Sequence, residues 1–331
     1  MTRDLAFSGI LLFVLGLALM VELAVGPANL SPLEAMVALV ASADDDPFTM
    51  IVREIRLPRA LVGIAVGATL GLAGAALQGF LRNPLADPGV IGVSSSAGLG
   101  AVIAIYGGFA SGFALAIPLF AMTGALLATA VLLALSARQA SVLTIILAGI
   151  GISTLAVALT SLVINISPDP FAVSDIVMWL LGSLQNRSFT DLWLAGPFIL
   201  LGCGLMLAGG PGLRLLTFGE ETAQTMGLDL VRLRLFVVLG AALAVGASVA
   251  TVGAVGFVGL IVPHMVRPFV GHDPGRILVP SAIAGAALVL LADICVRTIP
   301  ATQELKLGVL TGLVGAPFFL YLVVHTRRVM R

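Results

Sequence analysis

Apolar residues fall in long runs along this chain, and short stretches rich in Pro, Gly, Asp and Arg separate the runs. A helix needs about 20 apolar residues to cross a bilayer. The runs predict about ten transmembrane helices, at about 5–26, 58–80, 91–107, 113–136, 142–166, 192–209, 231–251, 253–267, 277–297 and 306–325. The run at 253–267 is short and glycine-rich, which predicts a broken or incomplete span. A shorter helix is expected at about 170–184, where Trp179 suits a membrane interface.

The composition supports a membrane protein. Charged residues make up 10% of the 331 positions and hydrophobic residues 59%, whereas soluble domains carry roughly 25% charged residues. The predicted fold class is therefore an all-α polytopic membrane protein, in which residues 1–331 form a single domain embedded in the lipid bilayer. No basic run indicates a nucleic-acid partner. Cys203 and Cys295 lie inside apolar runs, which favours packing roles over a disulfide.

The distribution of basic residues predicts the orientation. If the N-terminus is cytoplasmic, eleven of the 17 Lys and Arg residues fall on the inner side and six on the outer side. Cytoplasmic loops of membrane proteins carry the excess of Lys and Arg. Both termini are therefore expected in the cytoplasm.

Two spans resemble each other weakly. The second begins RLPRALVGIAVG at Arg56 and the seventh begins RLRLFVVLGAAL at Arg232. Being five spans apart, they would run in opposite directions, which is typical of an inverted repeat with a pathway between its halves. A chance likeness of two Gly- and Ala-rich helices is an equal alternative. Glycines 63, 67 and 71 of the second span give a face on which another helix can pack closely.

Three separated motifs resemble one known family. They are RLPR at 56–59 with RNPLADP at 82–88, PHMVR at 263–267 with Asp273, Arg276 and Asp293, and GVLTGLVGAPFFLYL at 308–322. The chain resembles the FecCD family of cobalamin and iron-chelate permeases, the membrane subunits of ABC importers. It departs from that family at 272–276, where Asp-His-Arg is usual, and at Leu305-Lys306, where a Pro is common.

The resemblance implies a type II ABC importer permease fold in the bacterial cytoplasmic (inner) membrane. It implies a homodimer, two ATP-binding subunits that hold ATP and Mg, and a periplasmic substrate-binding protein. The cargo would be a bulky iron complex, such as a ferric siderophore or haem, or cobalamin. The chain has no Walker motif, so it is expected to be a transport subunit with no cofactor of its own and no ATPase activity.

Arginines at the predicted outer ends of two spans are candidates for docking. Arg56 and Arg59 belong to the second span and Arg297 to the ninth. The resemblance implies that they bind acidic side chains of the binding protein, and guanidinium groups suit bidentate pairing with carboxylates. The alternative is that they reach to lipid headgroups.

The inner loop at about 213–230 carries an unusual cluster of charges for this chain. Its sequence predicts a short amphipathic helix that is ended by a glycine. The resemblance implies a coupling helix that rests on the ATPase, with its contacts at Glu220, Glu221, Ala223 and Gly227. A solvated loop is the alternative.

Polar residues near other helix ends form two further sets. The resemblance places Asn83, Leu85 and Ser141 near the inner gate, while the hydroxyls of Ser94, Ser95 and Ser96 either line the pathway or cap their helix. Structural roles in the inner loops are expected for His264, Arg267, Asp273 and Arg276. The histidine spacing matches no zinc or iron motif, so no metal site is expected.

An ion-coupled secondary transporter is the alternative function. Such a protein would carry an ionisable residue in mid-membrane on a broken helix. Glu22 and Asp293 both fall near helix ends, and Asp293 can pair with Arg297 at a spacing of four residues. An intramembrane enzyme ranks last because no matching catalytic motif is present.

Overall fold

The computed structural model describes residues 2–28, 30–40, 46–113, 115–136, 142–300 and 303–329. Over these ranges all regular structure is helical, as predicted. The helices are α1 Thr2–Ala24, α2 Pro32–Val40, α3 Pro47–Phe80, α4 Val93–Tyr106, α5 Ala116–Ser136, α6 Val142–Ile166, α7 Pro170–Leu180, α8 Phe189–Leu216, α9 Glu220–Thr225, α10 Leu230–Val252, α11 Val258–Val270, α12 Leu278–Thr298 and α13 Leu307–Val329. Single turns at Pro88–Ile91 and Phe109–Gly112 complete the described elements.

Seven of the described helices are long and apolar enough to cross a membrane: α1, α3, α5, α6, α8, α10 and α12. The other three predicted spans correspond to the shorter apolar helices α4, α11 and α13. The prediction of an incomplete eighth span is confirmed, because α10 ends at Val252 and α11 begins only at Val258. The short helix expected near 170–184 is α7.

Helix α3 lies at the centre of the bundle and packs along α12. A methyl group on Gly71 would lie 2.1 Å from the carbonyl oxygen of Ser281, and one on Gly285 would lie 2.2 Å from that of Gly67. Because real side-chain carbons cannot approach so closely, only glycine permits this crossing. The close-packing face predicted for α3 is therefore present.

The packing of α10 repeats that of α3. Both helices contain a π-helical turn near their start, at Ile51–Arg56 and at Leu235–Leu239. Helix α3 packs mainly on α12, and α10 packs on α8 and on α5. The helices that follow them, α4 and α11, both begin after a residue in the left-handed conformation, Gly92 and Phe257. These matched features support the inverted repeat.

Helix α2 was not predicted, because nine residues are too few for a span. It begins with a reciprocal pair in which Glu34 accepts hydrogen bonds from the backbone and hydroxyl of Ser31. At its other end Arg53 donates hydrogen bonds to the carbonyl oxygens of Ala38 and Leu39 at 3.1 and 3.0 Å. Its apolar side chains remain largely exposed: Leu33, Met36, Val37 and Val40.

Candidate functional site

The three arginines expected at the outer ends of their spans come together where α1 and α12 end and α3 passes. Arg56 is buried, and its guanidinium donates hydrogen bonds to the carbonyl oxygens of Leu23 and Ala24 at 2.7 Å and of Ala28 at 2.6 Å. The last carbonyls of a helix have no partner within the helix. Arg56 therefore caps the end of α1.

Arg59 holds two acids at once. Its Nε and Nη2 donate to the two carboxylate oxygens of Asp293 at 2.7 and 2.8 Å, and its terminal nitrogens also bond Glu304. Asp293 is 1% exposed, whereas the Glu304 side chain is 19% exposed. Asp293 is thus sealed inside the protein, and Glu304 is the partner that solvent reaches.

Arg297 completes this group. It contacts the carboxylate of Glu22, donates to the carbonyl oxygens of Val25 and Glu22 at 2.8 and 2.9 Å, and lies 3.5 Å from Asp293 as the predicted pair within α12. We call the six side chains the arginine–acid cluster: Glu22, Arg56, Arg59, Asp293, Arg297 and Glu304. It contains three guanidinium groups and three carboxyl groups.

The cluster borders a cavity of about 460 Å³ that Gln185, Asn186 and Arg187 also line. The guanidinium groups of Arg56, Arg59 and Arg297 are engaged by this chain's own carbonyls and acids, and they do not extend outward as free side chains. Their docking role stays a prediction. Apart from the pair of Asp293 with Arg297, these internal partners come from distant parts of the chain and were not predicted from the sequence.

The segment at 213–230 contains the short helix that was predicted, α9. Gly219 and Gly227 flank it, with φ angles of 94° and 91°. Leu228 N–H donates to the carbonyl oxygen of Ala223 and Gly227 N–H to that of Gln224, both at 2.9 Å. These two bonds form a Schellman motif, in which a left-handed glycine ends the helix.

One side of α9 faces the protein and the other faces outward. Ala223 is fully buried, whereas Glu221 is exposed. Glu220 is half-buried and lies 3.8 Å from Arg82. Phe218 and Met226 expose large apolar side chains beside the two glycines. The arrangement offers a small, partly apolar contact surface.

The other predicted gate and pathway residues make local bonds. Leu85 N–H donates to the Asn83 side chain at 2.9 Å, which is the Asx turn typical of Asn before a Pro. The hydroxyls of Ser95 and Ser153 lie 2.7 Å apart and connect α4 to α6. Ser94 is half-buried, and Ser96 is buried. Ser141 lies outside the described residues.

Asp273 is a hydrogen-bond centre in the connection between α11 and α12. Its carboxylate accepts from the backbone N–H groups of Gly275 and Arg276 at 2.8 and 3.1 Å and from Arg214 Nε at 3.1 Å. Arg276 Nε lies 3.6 Å from the same carboxylate. Through Arg214, these contacts hold the segment between α11 and α12 against the end of α8.

Arg267 and His264 lie on α11. Arg267 donates to the side-chain oxygen of Gln78, whose amide donates to the carbonyl oxygen of Gly259 at 3.2 Å. The ring of His264 meets that of Phe318 edge to face at 6.0 Å. Within the described ranges no three His, Cys, Asp or Glu residues are grouped so as to hold a metal ion.

Comparison with known proteins places this geometry among transporters. The model of the FecCD transport family matches residues 11–325. The cobalamin import system permease protein BtuC of Halobacterium salinarum is 40% identical over 277 residues, which cover 83% of this chain and 73% of that protein. The hemin transport system permease protein HmuU of Yersinia pestis is 36% identical over 316 residues, 94% of each chain.

A solved structure is similar over almost the whole chain. It is described as an inward-facing conformation of a transporter assigned to the metal-chelate type of ABC transporter. The TM-score is 0.86 at 32% identity, and the match covers 96% of this chain and 98% of that one. The helical arrangement described above is therefore shared with a transporter in which an inward-facing state has been seen.

Proposed function

The chain belongs to the FecCD transport family, and from that premise we propose how it works as the permease subunit of an ATP-driven importer. The observation that carries the proposal is the family match over residues 11–325, nearly the full length. The cargo proposed is a bulky iron complex, such as a ferric siderophore or haem, or cobalamin. The names of the relatives, which refer to cobalamin and hemin, support this class.

The proposed assembly contains two copies of this chain in the cytoplasmic membrane, with both termini in the cytoplasm. Two ATP-binding subunits lie beneath them and carry out hydrolysis, and a periplasmic binding protein delivers the cargo. The excess of Lys and Arg in the loops on one side supports this orientation.

Docking of the binding protein is proposed at the arginine–acid cluster and its adjoining cavity. Asp293 and Glu22 are sealed from solvent, but the Glu304 side chain is 19% exposed at the cavity that Arg59 lines. An incoming carboxylate would replace Glu304 on Arg59 while Asp293 keeps its own bonds. In such an exchange the Arg59 guanidinium keeps a carboxylate partner throughout, and Glu304 is released to solvent.

Coupling to the ATPase is proposed at α9. Its buried Ala223 fixes it to the body of the protein, and its exposed Glu221, Phe218 and Met226 form the contact surface. A helix that is closed at both ends by glycine turns can move as a rigid body with its partner subunit. The pair between Arg82 and Glu220 connects this segment to the end of α3.

The surroundings of Asp293 do not favour the secondary transporter alternative. Asp293 is held by Arg59 and lies 3.5 Å from Arg297, so its charge is compensated. A carboxylate that carries protons needs an environment in which both protonation states are accessible. The importer is therefore the single function proposed.

The proposal is tested by reconstituting the chain with its ATPase and its binding protein in liposomes. Uptake of hemin, cyanocobalamin and a ferric chelate is measured with and without ATP. Importer function requires ATP-dependent uptake of at least one of them, and the double variant Glu220→Ala, Glu221→Ala should lower it. Glu54→Ala, an exposed acid on α3, is the matched control and should transport normally.

Two results would contradict the proposal. One is uptake by the chain alone, driven by an ion gradient without an ATPase. The other is failure of the ATPase to associate with the unmodified chain under conditions in which the chain remains folded.

A further inference from the structure

Arg267 has an unusual electrostatic environment. Its guanidinium is half-buried and bonds the neutral side chain of Gln78. Among the described residues, no carboxylate lies within ion-pair distance of it, in contrast to Arg59 and Arg297 of the arginine–acid cluster. Burying part of a guanidinium charge without a counter-ion costs free energy, and a bound anion can offset that cost.

Arg267 lines a cavity of about 380 Å³ at the end of the bundle near α9. Arg82 and His272 line the same cavity, together with the side chains of Gln78, Asn83 and Thr217. The lining contains two guanidinium groups and an imidazole, and it contains no acid. The cavity is therefore electropositive and rich in hydrogen-bond donors.

Asp273 and Glu220, two acids beside lining residues, do not neutralise it. Asp273 is next to His272 in sequence, but its carboxylate is taken by Arg214, Gly275 and Arg276. Glu220 lies 3.8 Å from Arg82, and both side chains are exposed to a large extent. Exposed pairs of this kind are weak, so an anion with several oxygens can compete for Arg82.

The end of α3 determines where Arg82 lies. Arg82 has a φ of 47°, a left-handed conformation that residues other than glycine seldom adopt. It is the C′ residue of the Schellman motif that ends α3, in which Asn83 N–H donates to the carbonyl oxygen of Gln78 at 3.1 Å and Arg82 N–H donates to that of Gly79 at 3.4 Å. The helix ending therefore accounts for this conformation and places Arg82 at the cavity.

We propose that this cavity is a binding site for a phosphate group, held by Arg267 and Arg82 with His272 and Asn83 as further donors. A tetrahedral oxyanion accepts bidentate bonds from guanidinium groups, which suits two arginines on one cavity. The source of the phosphate is either a phospholipid headgroup or free inorganic phosphate.

The test uses the full-length chain, purified in a non-ionic detergent and stripped of lipid. Thermal unfolding is followed while inorganic phosphate is added at constant ionic strength, with chloride as the balancing anion. In a second arm, dioctanoyl phosphatidylglycerol is added, and dioctanoylglycerol, which lacks the phosphate, is the matched control. Binding of a ligand to the folded state alone raises the unfolding temperature in a concentration-dependent way.

Three variants connect the effect to the cavity. Arg267→Gln keeps hydrogen-bonding capacity but removes the charge, and Arg82→Ala and His272→Ala remove exposed side chains. Each arginine variant should weaken the apparent affinity by about tenfold or more, as expected for a charge-assisted bond. Arg232→Ala, an exposed arginine elsewhere on the same side, should change nothing.

The two arms of the experiment distinguish free inorganic phosphate from a phospholipid headgroup as the ligand. Stabilisation by inorganic phosphate alone assigns the site to free phosphate, and stabilisation by the phospholipid alone assigns it to a headgroup. If neither ligand stabilises more than its control, or if Arg82→Ala and Arg267→Gln respond as the unmodified chain does, the proposal is wrong. Because no transport is measured, this result is independent of the importer function.

Discussion

Arg59 on α3 forms a bidentate pair with Asp293 on α12, in which Nε and Nη2 lie 2.7 and 2.8 Å from the two carboxylate oxygens. The Asp293 side chain is 1% exposed and the Arg59 side chain 10% exposed. Removing one partner of a buried pair leaves a desolvated charge behind, which costs more than the pair itself contributes. The pair therefore connects two spans and is sensitive to single substitutions.

We predict that Arg59→Ala lowers the free energy of unfolding by about 3–5 kcal/mol, because Asp293 and Glu304 lose their shared cation. The double variant Arg59→Ala, Asp293→Ala should lose less than the sum of the two single variants, since it leaves fewer buried charges unpaired. Thermal or chemical unfolding in detergent micelles measures both. Lys306→Ala, a nearby cation without an ion pair among the described residues, is the control and should change stability little. Additive losses would contradict the prediction.

The crossing of α3 and α12 gives a second prediction. Gly71→Ala would place a methyl group 2.1 Å from the carbonyl oxygen of Ser281, so the helices must move apart. We expect a loss of about 1–3 kcal/mol from this overpacking. Gly16→Ala, on α1, meets no atom within 4 Å and should be neutral or slightly stabilising, as alanine usually is in a helix. Thermal unfolding of the two variants side by side measures the difference, and equal stabilities would contradict the packing described here.

The sequence was sufficient for the spans and for the class of fold, because both depend on long apolar runs that are visible without any tertiary information. Helix α2 was missed because its apolar positions are too few for a span and its start depends on the local pair of Ser31 and Glu34. The π-helical turns at Ile51–Arg56 and Leu235–Leu239 also left no recognisable pattern.

For the candidate site, local features could be predicted and long-range ones could not. The end of α9 at Gly227 follows from glycine's freedom to adopt a positive φ, which sequence reasoning can use. The partners of Arg59 lie 234 and 245 positions away along the chain. Only the packing of α3 against α12 brings these residues together, so the sequence identified the arginines and the Asp293–Arg297 pair but not the acids that Arg59 binds.

The third prediction concerns the pH dependence of stability through Asp87, in the connection between α3 and α4. Its carboxyl group points inward near Gly259 while the residue keeps part of its surface exposed. Burial raises the pKa of Asp87, and the hydrogen bond from Gly89 N–H opposes this rise. The folded state therefore holds this proton more tightly than the unfolded state does.

For an acid whose pKa is raised on folding, stability falls as the pH rises from its ordinary pKa of about 3.9 to the raised value. Asp87→Asn keeps an acceptor for Gly89 N–H and removes the titration, so its advantage over the unmodified chain should grow with pH in that range. Asp87→Ala has neither the hydrogen-bond acceptor nor the titrating carboxyl group. It should be less stable than Asp87→Asn by about 0.5–2 kcal/mol at every pH. Unfolding measured from pH 4 to pH 8 gives both differences. A pH-independent gap between the unmodified chain and Asp87→Asn would contradict the prediction.

The final prediction tests whether the ordered end of α9 is needed for coupling. Gly227 has a φ of 91°, and a side chain in the left-handed region costs roughly 1–2 kcal/mol. Gly227→Ala should therefore loosen the end of α9 while leaving Glu220 and Glu221 in place. Gly227→Asn should be intermediate, because asparagine tolerates positive φ better than other residues with a side chain.

The measurement is ATP hydrolysis and cargo uptake by the reconstituted complex, compared with the unmodified chain. We expect the uptake per ATP hydrolysed to be highest for the unmodified chain, lower for Gly227→Asn and lowest for Gly227→Ala. The unfolding temperatures of the three chains should be nearly the same. Gly196→Ala, where the added methyl group meets no atom within 4 Å, controls for the substitution itself. If Gly227→Ala couples as well as the unmodified chain, a rigid α9 is not what transmits the movement, and the exposed side chains Glu221, Phe218 and Met226 become the residues to test.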